Sequence, residues 1–268
     1  MHTYLINLDR CPERLDAMQA QLDGLGIPFE RVPAVDGLNL PPDLAPYFAH
    51  VIHRKPPIIE AGAVGCYASH LRAYQRIVLS DAPYAMVLED DAVLPANLRE
   101  IISTALLALP SGWDFVQLAK PPRHAVHELA GLPGGHLVRY SRVPSGAVGY
   151  LISRAGAEKM LNPTIERVWA IDTDTRRPWL FGLDVYGVVP PPINHHGAFP
   201  STIRTAGKRW RKGLPRPTPL TWHNMPLHSP AGVVWNIRKL GPAAWARCLA
   251  INSALRTWRA IEKTWSTA

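Results

Sequence analysis

Two periods of apolar and polar residues alternate along the first two hundred positions. Tyr4-Leu5-Ile6-Asn7-Leu8 is a short apolar run of the kind buried in a sheet. Pro12 suits the first turn of a helix, Leu15, Met18, Leu22 and Leu25 then recur at helical spacing, and Gly26 fits that helix's end. Phe29-Glu30-Arg31-Val32 predicts a second strand, stopped by a turn at Asp36-Gly37. Residues 40–60 are broken by prolines and predict a variable loop region. A helix follows from Ala63 to Leu79, with Val64, Leu71, Tyr74 and Val78 among its apolar positions, and Tyr84–Leu88 is a buried strand. Further along, the pattern predicts a helix over 98–109, a strand over 115–118, a Gly/Pro-rich loop at 131–135, a strand over 147–152 and a helix over 154–161. Strands alternating with helices predict an α/β fold around a mainly parallel sheet covered on both faces.

Composition narrows the class. The chain has 268 residues, 47% apolar and 19% charged, which excludes a disordered or fibrous chain and suffices for a substantial core. Cys11, Cys66 and Cys248 are odd in number, far apart and in no CxxC pair. That points away from a disulfide framework and from a structural zinc site, and fits a reducing compartment. No run of about 18 uncharged apolar residues predicts a membrane span, and the N-terminus reads as a first strand rather than a signal peptide.

Charge is divided unevenly. Residues 1–203 carry a net charge of −3, whereas residues 204–268 carry +11 with Glu262 as their one acid. Six of the nine tryptophans also fall in the second segment. This break predicts a catalytic domain over 1–203 and a basic, Trp-rich helical tail over 204–268, joined through an extended linker around Pro215, Pro217 and Pro219. No internal repeat with a period of 20–50 residues is present.

The residues richest in chemistry are Glu89-Asp90-Asp91, at the carboxyl end of the predicted strand 84–88. Three adjacent acids beside a buried strand repel one another unless something offsets their charge. A divalent cation does so, and so does exposure in a turn ahead of a helix N-terminus; spacing alone leaves these two readings level.

The surrounding run, Tyr84 to Leu94, resembles the metal-binding segment of glycosyltransferase family 25. Four further blocks resemble that family's in order: Ile6–Arg10 with Glu13-Arg14, Pro33–Gly37, Gly62–His70, and Gly149–Arg154 with Gly156-Ala157. The likeness spans roughly residues 3 to 203. It implies a Rossmann-like nucleotide-sugar transferase fold of the GT-A type. The implied reaction is inverting transfer of a hexose, usually galactose, from a UDP-sugar with a manganese- or magnesium-type cation. The implied acceptor is a lipopolysaccharide, lipooligosaccharide or other glycan. On this resemblance Asp91 coordinates the cation, with Glu89 as a second ligand, and Glu89 or Asp90 contacts the donor. Asn7, Asp9, Arg10, Asp36, Ser69 and His70 are the other donor-binding candidates. Asp172 is the favoured general base, with Asp174 as its alternative, and Asp172-Thr173-Asp174 is itself a competing D-x-D match for the cation. His195 and His196 are candidate late metal ligands, although the family more usually has a glutamine near there. On the residues alone, Arg10 and Arg14 serve equally well as surface ion pairs, Asp36-Gly37 as a plain turn, and His70 as a core hydrogen-bonding residue. Cys66 reads as a small packed residue.

In the tail, Ile251, Leu255, Trp258, Ile261 and Trp265 share one helical face, with Arg256, Arg259 and Lys263 on the other. Lys208–Lys212 adds a polybasic patch. Such a helix fits an anionic membrane surface, and equally fits packing on the catalytic domain. Nucleic acid ranks below both, because the acidic first segment repels a phosphate backbone. The resulting expectation is an enzyme peripheral to the cytoplasmic face of a bacterial membrane.

Overall fold

A computed structural model describes the backbone of residues 1–49, 59–195 and 229–266, with side chains in the last segment through Leu255. Strand β1 (His2–Asn7) leads into helix α1 (Pro12–Gly24) and β2 (Glu30–Pro33). A 3-10 turn (Ala45–Phe48) precedes α2 (Ala61–Leu79), β3 (Tyr84–Glu89), β4 (Ala92–Val93), α3 (Leu98–Ala108) and β5 (Phe115–Gln117). Then come β6 (Val126–Leu132), β7 (Gly135–Tyr140), β8 (Gly149–Ser153) and α4 (Arg154–Met160). Short helices α5 (Ile171–Asp174) and α6 (Pro178–Phe181), β9 (Val185–Val189), β10 (Asn194–His195), α7 (Pro230–Leu240) and α8 (Pro242–Ser266) complete the order.

Eight strands form one sheet in the order β2-β1-β3-β8-β5-β9-β7-β6, and β4 pairs with β10 in a small antiparallel ribbon. Six of the eight strands run in one direction; β8 and β7 run against them, so the sheet is mixed rather than wholly parallel. Period-two patterning divides the core between its faces. Tyr4, Ile6, Ala85, Val87, Phe115, Tyr150 and Ile152 face one side, where they meet Leu71, Tyr74 and Ile77 of α2. Leu5, Met86, Leu88, Val116 and Leu151 face the other, against Met18 and Leu22 of α1 and Ile101 and Ile102 of α3.

Helix α1 ends as its sequence predicts. Gly26 has φ +61°, and the Ile27 amide reaches back to the Leu22 carbonyl at 2.9 Å, closing a Schellman motif. The proline-broken region is not all loop, since Phe48 of the 3-10 turn and Leu44, the residue preceding that turn, are buried in the core. Residues 131–135 are the tip of the β6–β7 hairpin, with Gly134 at φ +74°. Strand β6 alternates weakly because it is an edge strand with Leu132 as its one buried residue, which is why the apolar pattern does not reveal it.

The described part of the tail packs on this hairpin. Trp245 and Cys248 of α8 are buried against Ala125, and Asn252 accepts a 2.7 Å hydrogen bond from the Ala125 amide. Ile251 stays exposed and Leu255 half-buried, whereas the side chains of Trp258, Ile261 and Trp265, the Lys208–Lys212 patch and the proline linker lie outside the described residues. Among the described residues no helix is long and apolar enough to cross a membrane.

Candidate functional site

Strands β1, β2 and β3 are parallel neighbours, so their carboxyl ends and the loops that follow open on the same edge of the sheet. A cleft of about 180 Å³ lies there, lined by residues from all three strand ends and by the start of α2. Its walls are set by close backbone approach. A Cβ on Gly37 would sit 1.9 Å from the Ala61 carbonyl oxygen, and one on Gly65 2.5 Å from that of Val35, so the loop after β2 meets α2 through two glycines. Ser69 fastens the same junction, donating to the Gly65 carbonyl at 2.7 Å and accepting from the Val35 amide at 2.8 Å.

Asn7, Arg10, Asp36, Ser69, His70, Glu89, Asp90 and Asp91 all line this cleft. Their roles within the fold divide sharply. Asn7 donates to Asp90 at 2.8 Å and to the Cys11 carbonyl at 3.0 Å, while its oxygen accepts from Arg31 at 3.0 Å. The other Asp90 oxygen accepts from Arg14 at 2.9 Å, and both residues of that pair are buried. Asn7 and Asp90 therefore bind β1 to β3 and face each other. Asp36 takes the Leu38 amide at 3.0 Å and the Asn39 side chain at 2.9 Å, the Asx turn that Asp-Gly allows. These two bonds, and more weakly the Arg10 charge, hold its carboxyl below the ordinary range against a small opposing effect of burial. Asp9 lies outside the cleft lining, exposed and paired with Arg31.

Glu89 and Asp91, two residues apart, diverge electrostatically. Burial pushes the Glu89 carboxyl up, but the His70 hydrogen bond and charge, with Cys66 and His195, outweigh it and leave the group below its ordinary value. His70 Nε2 lies 3.1 Å from Glu89 Oε1, and its Nδ1 lies 2.7 Å from the Tyr150 hydroxyl. Tyr150 in turn meets the Tyr74 hydroxyl at 2.8 Å, and burial drives both phenols upward. Asp91 moves the other way. Burial and then the Glu89 charge raise it, with Asp90 adding to the rise and His195 and Arg14 opposing it. The β4–β10 pairing sets His195 opposite Ala92, which brings its Nε2 to 2.9 Å from Asp91 Oδ2. Asp91 Oδ1 is buried with no hydrogen-bond partner among the described residues.

That orphaned oxygen, in a carboxylate crowded by two other acids, fits a divalent cation; carboxylate oxygens of Asp91 and Glu89 suit magnesium or manganese, and an imidazole is compatible with manganese. His196 lies outside the described residues.

Of the two candidate bases, Asp172 is half-buried, accepts from the Ser145 hydroxyl at 2.5 Å, and lies close enough to Cys66 to help raise its thiol. Asp174 is 1% exposed, with its oxygens held by Tyr67 at 2.9 Å and by Arg177, so it anchors α5 from within. Burial raises its carboxyl in spite of Arg177 and Tyr67. On the sequence alone Tyr150, on an alternate position of β8, has no role and Cys66 is a small packed residue, although Cys66 shares a helical face with His70 at a spacing of four.

A family model described as glycosyltransferase family 25 (LPS biosynthesis protein) matches residues 1–175. A glycosyltransferase 25 family member of Aedes aegypti is 29% identical over 182 residues, 64% of this chain and 30% of that protein. Procollagen galactosyltransferase 1-B of Xenopus laevis is 28% identical over 170 residues, 59% of this chain and 28% of that protein. Inactive glycosyltransferase 25 family member 3 of Mus musculus is 29% identical over 188 residues, 63% of this chain and 30% of that protein. The chain thus spans less than a third of the length of these relatives. The match takes in all three strand ends of the cleft, the acidic triplet and Asp172, and with 175 of 268 residues covered the chain belongs to glycosyltransferase family 25.

Proposed function

We propose that this protein transfers a hexose, galactose by preference, from a UDP-sugar to a glycan acceptor with inversion, using a manganese- or magnesium-type cation. The observation that carries this reading is the orphaned Asp91 oxygen in a cleft that also presents Arg10, Arg14 and the amino end of α2. Arginines and a helix N-terminus attract a diphosphate, and the acids opposite supply the cation ligands. Asp91 and Glu89 would hold the cation, which supplies neutralisation of charge growing on the leaving diphosphate. Asn7 and Arg14 tie the end of β3 to β1 and α1 so that these acids keep their places. Asp172, which accepts a hydrogen bond from the Ser145 hydroxyl, takes the proton from the attacking sugar hydroxyl. The galactosyl preference draws on the named activity of the Xenopus relative, and the lipopolysaccharide-type acceptor on the description of the family.

The test is UDP release from a panel of UDP-sugars, with manganese and then with chelator, in the presence of a crude glycolipid extract. Wild type is expected to release UDP from one donor in a manganese-dependent way, and Asp91→Asn to lose about 10²–10³-fold. Folded protein that is silent with every donor and shows no cation-dependent UDP binding overturns the reading. A second reading is favoured by the mouse relative, named inactive yet as similar as the others: a protein that binds donor without turnover. It predicts cation-dependent UDP binding with no release.

The basic tail extends the proposal to a peripheral site at the cytoplasmic face of an anionic membrane, where a lipid-linked acceptor resides. Co-sedimentation with anionic but not neutral vesicles, weakened by salt, is the expected result, and equal binding to both overturns it.

A further inference from the structure

Cys66, His70 and Glu89 bring three different donor atoms together on the floor of the cleft. Cys66 and His70 are one turn apart on α2 and leave the helix on one face, while β3 delivers Glu89 to the same point. Glu89 Oε1 lies 3.1 Å from His70 Nε2 and 3.7 Å from Cys66 Sγ, and all three donor atoms lie within 4.8 Å of one another. We propose that these side chains form a tetrahedral site for a borderline divalent cation of the zinc class, with its fourth position open to the cleft; it shares Glu89 with the cation proposed at Asp91 and does not use the orphaned Asp91 oxygen. The proposal stands whether or not the protein transfers sugar.

Size, charge and hardness agree with this assignment. Bonds of about 2.3 Å to sulfur and about 2.0–2.1 Å to nitrogen or oxygen, at tetrahedral angles, separate neighbouring donors by roughly 3.3–3.6 Å. The two Glu89 edges of 3.1 and 3.7 Å bracket that range, and the Cys66–His70 edge is within 4.8 Å. One thiolate, one carboxylate and a neutral imidazole cancel a charge of two. The thiolate selects zinc, cobalt or cadmium over magnesium and manganese. The negative charges of Glu89, Asp172 and Asp91 around Cys66 favour a cation. The absence of a CxxC pair, which points away from zinc in the sequence, does not apply to a site shared between a helix and a strand.

The support behind the site is in place. A ligating imidazole needs its second nitrogen held, and Tyr150 holds His70 Nδ1 at 2.7 Å, backed by Tyr74. Without a cation, Nε2 faces Glu89 and Nδ1 faces the Tyr150 hydroxyl. With one, the cation takes the Nε2 lone pair, Nδ1 carries the proton and donates to the Tyr150 oxygen, and the thiol proton leaves to solvent. Either hydroxyl of the Tyr150–Tyr74 pair can be the donor, so both states are satisfied.

Titrating the full-length protein anaerobically with cobalt(II) tests this directly. The expected spectrum combines a near-ultraviolet thiolate-to-cobalt charge-transfer band with the strong visible bands of a four-coordinate ion, all removed by zinc. Cys66→Ser is expected to lose the charge-transfer band, whereas Cys11→Ser, Cys248→Ser and Asp91→Asn keep it. Tyr150→Phe is expected to weaken cobalt binding about 10–100-fold with the band unshifted. A wild-type protein without the band overturns the proposal, as does a band that survives in Cys66→Ser or is lost in folded Asp91→Asn. The wild-type spectrum decides even if a variant fails to fold.

Discussion

At one end of the sheet, where β1, β2 and β3 finish, three consecutive acids share Arg14, Asn7, His70 and His195, and one oxygen of Asp91 is left over. At the other end, between β7, β9 and α7, Asp184 receives Arg139 at 2.6 Å and Lys239 at 3.1 Å, and Lys159 pairs with the neighbouring Asp114 at 2.5 Å. Topology underlies the difference. Parallel strands deliver their carboxyl ends to a common edge, so groups from distant parts of the chain converge there. The antiparallel β6–β7 hairpin instead folds back on itself, and its polar groups are used to attach the C-terminal helices, as Asn252 does at Ala125 and Ser141. Where cations outnumber acids the pairs hold elements together, and the oxygen left over on Asp114 belongs to a carboxylate paired with Lys159; where acids outnumber cations, coordination capacity is left for a ligand.

The largest expected effect tests whether the acidic end also depends on its internal pairs. Arg14→Met leaves Asp90 charged and buried and is expected to destabilise by about 3–5 kcal/mol, read by urea denaturation. A loss as small as that of a surface pair would mean that water replaces Arg14, and the contrast between the two ends would fail. At the opposite end, Asn252→Ala strands the Ala125 amide, and about 1–3 kcal/mol is expected in the same assay. If instead α8 detaches at no cost in stability, the C-terminal helices are not fastened as the hydrogen bonds indicate.

The acidic triplet was visible in the sequence as a unit, but its division of labour was not. Glu89, Asp90 and Asp91 differ through His70, Arg14 and His195, which come from α2, α1 and β10, and no local pattern encodes those meetings. Strands β1 and β3 and helices α1 and α2 were legible because both faces of the sheet are covered there, so apolar runs and helical stripes stand out. The β6–β7 hairpin was not, since an exposed edge leaves little apolar signature, nor was β9, whose Gly187 interrupts the run to admit the Tyr140 hydroxyl. Asp174 matched a D-x-D pattern, yet Tyr67 and Arg177 hold it inside.

The neighbours Glu89 and Asp91 sharpen the comparison within the acidic end, because their shifts have opposite signs. Glu89 is depressed, so it contributes stability present above the ordinary carboxyl range and lost as pH falls through its folded value. Asp91 is raised, so the folded state binds its proton more tightly than the unfolded chain does. Its contribution is favourable when protonated and is lost as pH rises through that raised value. Denaturation curves of the cation-free protein between about pH 3 and about pH 7 should therefore change in opposite directions. Glu89→Gln is expected to lessen the loss of stability on acidification, and Asp91→Asn to steepen it. Parallel changes in the two variants would mean that the triplet titrates as one cluster.

The smallest expected effect isolates burial from charge. Arg72 and Asp43 form a two-pronged pair at 2.9 and 3.2 Å, better in geometry than the single contact between Arg14 and Asp90, but both side chains are substantially exposed. Water solvates each partner once the other is removed, so a double-mutant cycle with Arg72→Ala and Asp43→Ala is expected to give about 0–1 kcal/mol, falling with added salt. Arg14 and Asp90 have no such recourse, because a buried charge that loses its partner also lacks water. A coupling at Arg72–Asp43 as large as the cost of Arg14→Met would assign the cohesion of the acidic end to ion pairing in general. A small coupling there assigns it to the buried network that keeps the acids of the cleft in register.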